Sequence, residues 1–173
     1  MVLRFIVFYL AFIPISVSLA WGQGLPPSAL TVVHRFSTSN SEVPAGQLLL
    51  SANGTFYGVL ANGGANGGGA IFSFSDGAPL QVLYSFGVGE FPVANANGSL
   101  PNAPLIFGSD GNLYGTTSTG GPNEFGTVFQ VTPTGNLTTL GSFGAVGEGQ
   151  EPFGGLYLAS DGYFYGRTIS GDS

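Results

Sequence analysis

One spacing recurs along this chain of 173 residues and constrains its fold more than any single motif. Pro44 to Tyr57, Pro101 to Tyr114 and Pro152 to Tyr165 are each 13 residues apart. Tyr57 to Phe72 and Tyr114 to Phe129 are both 15, and Tyr57 to Phe86 and Tyr114 to Phe143 are both 29. A full unit is therefore 43 residues long, residues 44–86 and again 101–143, with a partial third unit at 152–173. Only the connectors vary: 8 residues from Phe36 to Pro44, 15 from Phe86 to Pro101 and 9 from Phe143 to Pro152. A fixed period means stacked units that bury one another's apolar faces.

Within a unit, four short apolar runs are separated by turn chemistry, and none is long enough to prefer a helix. In the second unit they are residues 105–108, 112–117, 126–132 and 136–143. Asn53-Gly54, Asp110-Gly111 and Asp161-Gly162 lie between the first and second runs. Such pairs tolerate the positive φ of a two-residue hairpin, so these strands should pair antiparallel. Asp76-Gly77 and Pro133-Thr134-Gly135 do the same between the third and fourth. Apolar residues alternate onto both faces, Val82, Tyr84 and Phe86 against Leu83, and Phe72 and Phe74 against Ile71. A sheet buried on both sides is what a blade between two neighbouring blades requires. The predicted fold is all-β, an incomplete β-propeller of four-stranded antiparallel blades preceded by a signal-peptide helix.

The string GSDGNLYGTTSTGGPNEFGTVFQVTPTG from Gly108 to Gly135, followed by LTTLGSF, resembles the GloVer tandem repeat of the choice-of-anchor surface proteins. The resemblance spans about residues 30–173. The first unit departs from it at Val59-Leu60, where the second has Thr116-Thr117, and the third reads Gly166-Arg167-Thr168. What it implies is an exported repeat protein with little chemistry of its own. The Asp-Gly-x-Leu-Tyr-Gly element is also similar to the inner-strand turn of NHL-type and gluconolactonase-type propellers, and no catalytic residue carries across from those.

Residues 1–20 have the three parts of a secretory signal: Arg4 near the start, an apolar stretch from Phe5, and Ser18-Leu19-Ala20 as a small-x-small cleavage site. The apolar run of 16 residues includes Pro14 and falls short of the roughly 20 that span a bilayer. Residues 21–29 read as a linker, and the mature part has no second apolar span. The expected location is secreted or cell-surface. At the other end the third unit stops in the loop after its second strand, while residues 31–36 have the pattern of a fourth strand with no three before it. Eleven strands fall short of a ring of four or more four-stranded blades. The reading is the N-terminal portion of a longer protein, completed by further repeats of the same chain or by self-association.

Charge narrows the partners. Without residues 1–20 the chain keeps only Arg35 and Arg167 against nine acids, so a basic nucleic-acid-binding face is excluded. With no cysteine there is no disulfide framework or thiolate site, and His34 is the single histidine. Glu42, Glu90, Glu148 and Glu151 lie in connectors and Glu124 in a second-to-third loop, all at one end of the units if strand direction alternates. Loops on a rigid scaffold carry function, so these glutamates are the binding candidates, against the plainer reading of a solubilising surface. Carboxylates there would suit Ca²⁺ or a cationic ligand; no other cofactor or metal is implied. Asp110 and Asp161 share their turn position with Asn53 and read as structural. Tyr57, Tyr114 and Tyr165, followed by Gly58, Gly115 and Gly166, read as packing between units rather than as a platform for sugars. Glu148 and Glu151 lack the rigid support of a glycosidase pair, and no Ser-His-Asp order or phosphate-loop lysine is present. The function expected is an exported, non-enzymatic repeat protein presenting loops to a surface protein or glycan. The rival is the N-terminal part of an extracellular propeller hydrolase or lyase whose catalytic residues lie beyond this chain.

Overall fold

The computed structural model describes residues 3–7, 30–37, 39–88, 95–145 and 149–171. Among them the chain is all-β, with no helix long and apolar enough to cross a membrane. The runs between turn dipeptides are rich in β-branched and aromatic residues, which favour a pleated, packed surface. In the first unit they form β3 (Val43–Leu50), β4 (Phe56–Asn62), β5 (Gly67–Phe74) and β6 (Gln81–Gly87), an antiparallel sheet in that order. The second unit repeats the order with β7 (Ile106–Phe107), β8 (Leu113–Thr117), β9 (Thr127–Val131) and β10 (Leu137–Ser142). All four lie inside the runs predicted from sequence.

The first strand holds the recurring proline at a sheet edge in the first and third units, as Pro44 and Pro152, where a missing N–H interrupts no ladder, whereas Pro101 lies ahead of β7. It is broken just beyond the proline. In β3 the register slips between Ala45 and Leu49. The second unit keeps only a bridge, Ser99 with Thr119, ahead of β7. In the third unit the break divides both strands, so β11 (Gln150–Pro152) pairs with β14 (Thr168–Ser170) and β12 (Tyr157–Leu158) with β13 (Phe164–Tyr165). The pair Gln150–Ser170 falls 51 residues after Ser99–Thr119, so the split strands occupy the same places as the single ones.

The core follows from the alternation. On one face of the first sheet Tyr57, Val59, Ile71 and Phe86 pack against Leu105, Leu113, Phe129 and Val131 of the second. On its other face Leu60, Ala70, Phe72 and Phe74 pack against Phe36 and Val33. The first sheet is thus covered on both sides, as the sequence pattern required. Phe36 tilts onto Phe72 with ring centroids 5.4 Å apart at 56°, and Phe86 meets Phe129 at 5.4 Å and 54°. The ring that ends one unit therefore locks onto the third strand of the next, twice in the same geometry. Each third-strand ring lies across a second-strand glycine: a β-carbon on Gly58 would sit 2.5 Å from Phe72, and one on Gly115 2.6 Å from Phe129. Glycine in the Tyr-Gly pair is thereby explained by close approach.

The Leu60–Ala70 pair of the first sheet becomes Thr117–Thr127 in the second, both buried. Their hydroxyls are 2.9 Å apart, and Thr127 Oγ1 also donates to the Asn97 carbonyl at 3.1 Å. Burial of two hydroxyls is tolerated because both are paired. Asn97 ties the sheets together, donating through Nδ2 to Tyr84 Oη at 2.7 Å and accepting from Thr139 Oγ1 at 3.0 Å.

At the amino-terminal end the structure departs from expectation. Residues 3–7 are not part of a signal-peptide helix but a strand, β1 (Leu3–Val7), paired parallel with β2 (Leu30–Arg35). An exposed edge of β2 offers unpaired backbone groups, and Phe5, Ile6 and Val7 have strong strand preference, so pairing satisfies both. The rest of the expected signal segment and linker, residues 8–29, lies outside the described residues. The strand expected at 31–36 is present as β2, with a partner that periodicity did not supply.

The two phenylalanine locks set a stability prediction. Phe86→Ala is expected to lose about 3–5 kcal/mol of unfolding free energy. Phe143→Ala, at the same repeat position but only half-buried, should lose less than about 2 kcal/mol. Urea unfolding of both variants checks this; equal losses would refute the assigned role of the lock.

Candidate functional site

The tight-turn end is built from the recurring Asn/Asp-Gly pairs. Asp110 Oδ1 accepts the Asn112 backbone N–H at 3.1 Å, Asp161 Oδ1 that of Tyr163 at 2.9 Å and Asn53 Oδ1 that of Thr55 at 3.1 Å. Each side chain closes its own turn, the structural role predicted from sequence. The following Gly54, Gly111 and Gly162 have φ of 84°, 78° and 84°, which a side chain would strain. Asp110 Oδ2 further accepts from Asn112 Nδ2 at 2.7 Å, Tyr114 Oη at 3.0 Å and Gln130 Nε2 at 2.9 Å. In the third unit Tyr165 Oη donates to Asp161 Oδ2 at 2.8 Å.

These bonds stabilise the ionised carboxylates. Asp110 is held below its ordinary value of 3.8, first by the Asn112 side-chain amide, and Asp161 likewise, first by the Tyr163 backbone N–H. Tyr114 is pushed above 10.0 by partial desolvation and then by Asp110, and Tyr165 above it mainly by Asp161. Two of the three recurring tyrosines also pack. Tyr57 is buried and meets Phe107 edge-on at 6.0 Å, Tyr114 stacks on Phe164 at 4.3 Å, and Tyr165 is exposed.

The opposite end carries the candidate glutamates, and the structure assigns them different work. Glu42 Oε2 accepts the Ser37 backbone N–H at 2.7 Å, so this carboxylate closes the connector into the first sheet. Glu124 and Glu151 are exposed, with φ of 67° and 53°. Glu151 donates its backbone N–H to the Phe125 carbonyl at 3.0 Å, next to Glu124. One repeat earlier Leu100, φ 56°, donates to the Gly68 carbonyl at 2.9 Å. A leucine does the same backbone work, so docking of unit on unit sets Glu151's position, and its carboxylate is free to face solvent. Glu90 and Glu148 lie outside the described residues. Among the described residues no three His, Asp or Glu side chains come together as metal ligands.

A third feature was not anticipated. A groove of about 420 Å³ opens between the second sheet and the third unit, lined by Thr116, Val128, Phe143, Leu156, Phe164 and Arg167 among others. Arg167 borders it with Nε donating to the Phe153 carbonyl at 3.1 Å and its guanidinium 5.6 Å from the Phe153 ring. The repeat offset contained the signal: Val59, Ile71, Phe86, Leu105 and Leu113, buried between the first two sheets, occur again as Thr116, Val128, Phe143, Leu156 and Phe164. His34 meets Phe36 edge-on at 4.8 Å, a packed strand residue.

Comparison with known proteins adds the following. The sequence signature described as the Gloeobacter/Verrucomicrobia repeat matches residues 24–173. No curated protein matches the chain significantly. Among solved structures, a catalytically inactive virginiamycin B lyase from Staphylococcus aureus with quinupristin is similar at 13% identity and a TM-score of 0.38. The match covers 79% of this chain and 56% of the lyase chain, and carries no reaction across.

Two predictions come from these turns and connectors. Because Asp110's folded value is depressed, its contribution to stability is present above the unfolded value and lost as pH falls from 3.8 through the lower folded value. The stability gap between wild type and Asp110→Ala, measured by urea unfolding, should therefore be constant near neutrality and shrink below pH 3.8; a gap independent of pH would count against the network. Separately, Glu151→Gly should raise stability by about 1 kcal/mol by releasing a left-handed backbone strain of ~1–2 kcal/mol. Thermal unfolding reads this, and a loss of stability would show that the carboxylate itself matters.

Proposed function

This chain belongs to the Gloeobacter/Verrucomicrobia repeat family, and on that footing we propose that it is an exported, non-enzymatic protein of β-propeller type that presents its connector loops to a surface protein or glycan. The observation that carries this reading is the division of labour between the two ends of the sheets. At the tight-turn end Asn53, Asp110 and Asp161 are consumed by their own turns. At the other end the second-to-third loops and the connectors meet, with spacings of 8, 15 and 9 from the closing Phe to the next Pro on an otherwise fixed unit. A scaffold that holds its period while varying those loops suits recognition. Export is supported by the signal-like residues 1–20, whose cleavage after Ala20 is part of the proposal.

Glu124 and Glu151 are the carboxylates offered to a ligand, because both are exposed, adjacent through the Glu151–Phe125 backbone bond and unneeded by their own turns. Their sign favours hydroxyl-rich sugars, cationic groups or a weakly held Ca²⁺ over anionic partners. The experiment has two arms. Amino-terminal sequencing of protein recovered from the medium or cell surface should begin after Ala20, and protein confined to the cytoplasm would end the export reading. Glycan arrays and purified surface polymers probed with the protein should give saturable binding that drops at least tenfold in Glu124→Gln/Glu151→Gln, with unfolding unchanged. Absence of any binding, or binding indifferent to both substitutions, would remove the connector end as the site.

A further inference from the structure

Asparagine is followed by glycine at four places, Asn53-Gly54, Asn62-Gly63, Asn66-Gly67 and Asn97-Gly98. Glycine has no side chain to shield its amide nitrogen, so each pair is open to attack by that nitrogen on the preceding side-chain carbonyl carbon. The structure separates the four. Asn53-Gly54 and Asn97-Gly98 share one backbone turn: Gly54 donates its N–H to the Ser51 carbonyl at 3.1 Å and Gly98 to that of Asn95 at 2.9 Å, with φ of 84° and 82°. With the backbone matched, the surroundings decide. Asn97 is tied at both atoms, Nδ2 donating to Tyr84 Oη and Oδ1 accepting from Thr139 Oγ1, and a β-carbon on buried Gly98 would run into the hydroxyls of Thr117 and Thr127. Gly63, after Asn62, is buried, and a β-carbon on it would lie 2.9 Å from the Asn40 carbonyl oxygen. Asn66 commits Nδ2 to the Ser85 carbonyl at 3.1 Å. Asn53 and Gly54 are both exposed, and nothing lies within 4 Å of a β-carbon built on Gly54.

The hydrogen bonds of its amide oxygen set Asn53 further apart. Oδ1 accepts the Thr55 backbone N–H at 3.1 Å and the Ser51 hydroxyl. The same hydroxyl reaches the Thr55 carbonyl at 2.9 Å, so its one proton is drawn to Oδ1 as negative charge develops there. Two donors aimed at an oxygen that becomes an oxyanion lower the barrier to attack on its carbon. We propose that Asn53-Gly54 is a self-modifying site, at which the asparagine converts to aspartate and isoaspartate with Ser51 and Thr55 as the oxyanion donors. The Gly54 amide nitrogen loses its proton to hydroxide and bonds to Asn53 Cγ; the Cγ–Nδ2 bond breaks, and Nδ2 leaves as ammonia with a proton taken from water. Water then opens the five-membered imide. Cleavage of the newly formed Cγ–N bond leaves aspartate, and cleavage of the original peptide bond leaves isoaspartate. The aspartate product fits, because Asp110 and Asp161 hold the same place and accept the backbone N–H two residues on in the same way. Isoaspartate lengthens the main chain by one carbon and disturbs the hairpin register. Conversion adds a negative charge at the end of the sheets opposite the connector glutamates, so it stands apart from their proposed ligand.

Full-length protein incubated at neutral and mildly alkaline pH, then sampled over time by peptide mass mapping, provides the test. Asn53 should gain the mass of an amide-to-acid exchange at least tenfold faster than Asn62, Asn66 or Asn97, and isoaspartyl methyltransferase should label the same peptide. The rate should rise with pH, as loss of an amide proton requires. Ser51→Ala, just past the end of β3, should slow conversion at Asn53 at least threefold while the melting temperature stays within about 2 °C of wild type. In urea, where the turn and its donors are gone, the four pairs should react within about threefold of one another, a comparison that needs no variant to fold. Asn53→Asp, the product made genetically, should melt within about 2 °C of wild type. Equal rates at Asn53 and Asn97 in the folded protein, a folded Ser51→Ala that converts as fast as wild type, or the same ranking in urea overturns the proposal. Glycan binding at the connector end, or its absence, leaves these outcomes unchanged.

Discussion

A phenylalanine at the end of one sheet closing onto a phenylalanine in the third strand of the next is the contact on which this structure depends. It occurs as Phe36 on Phe72 and as Phe86 on Phe129, with the same centroid distance of 5.4 Å. Burying an aromatic side chain is worth several kilocalories per mole in area alone, with about 0.5–1.5 kcal/mol more from the ring pair. The contact also requires glycine beneath the second ring, which explains why tyrosine and glycine travel together at Tyr57-Gly58 and Tyr114-Gly115. A sheet apolar on both faces has no stable existence alone, so the lock makes each unit's fold conditional on its neighbour.

With the interior committed to this lock, polar residues divide between the two ends. The tight turns use their carboxylates internally, and the depressed Asp110 and Asp161 follow from hydrogen bonds within five residues. Connectors carry the strain instead. Leu100 and Glu151 adopt left-handed backbone at equivalent positions because their N–H groups must reach the preceding unit's loop. Strain that recurs with different side chains belongs to the packing of units; this is why Glu151's location says little about its carboxylate and why its exposure is what matters for a ligand.

Much of this was legible in the sequence for definite reasons. The strands of the second unit fell inside the apolar runs, because Asp-Gly and Pro-Thr-Gly leave the chain few alternatives at those points. The roles of Asn53, Asp110 and Asp161 were also readable, since an Asx turn is local. Of the three tyrosines assigned to packing, Tyr57 is buried and Tyr114 stacks on Phe164, while Tyr165 is exposed. Other features were not readable. Glu42 was grouped with free carboxylates although it closes its own connector through Ser37, a contact that depends on how residues 37–42 turn. The strand at Leu3–Val7 was taken for helix because a signal-like apolar run looks the same in either state until a partner edge is known.

By itself the sequence determined the period, the strand content, the two-faced burial and the turn chemistry, all of which arise from interactions within a few residues or from a repeat that copies itself. The tertiary structure alone decided the parallel pairing of β1 with β2, the break in the first strand of each unit, and the left-handed backbone at Leu100 and Glu151 where connectors dock on the preceding unit. Those depend on which surfaces meet across units. Residues far apart in the chain share no local signal.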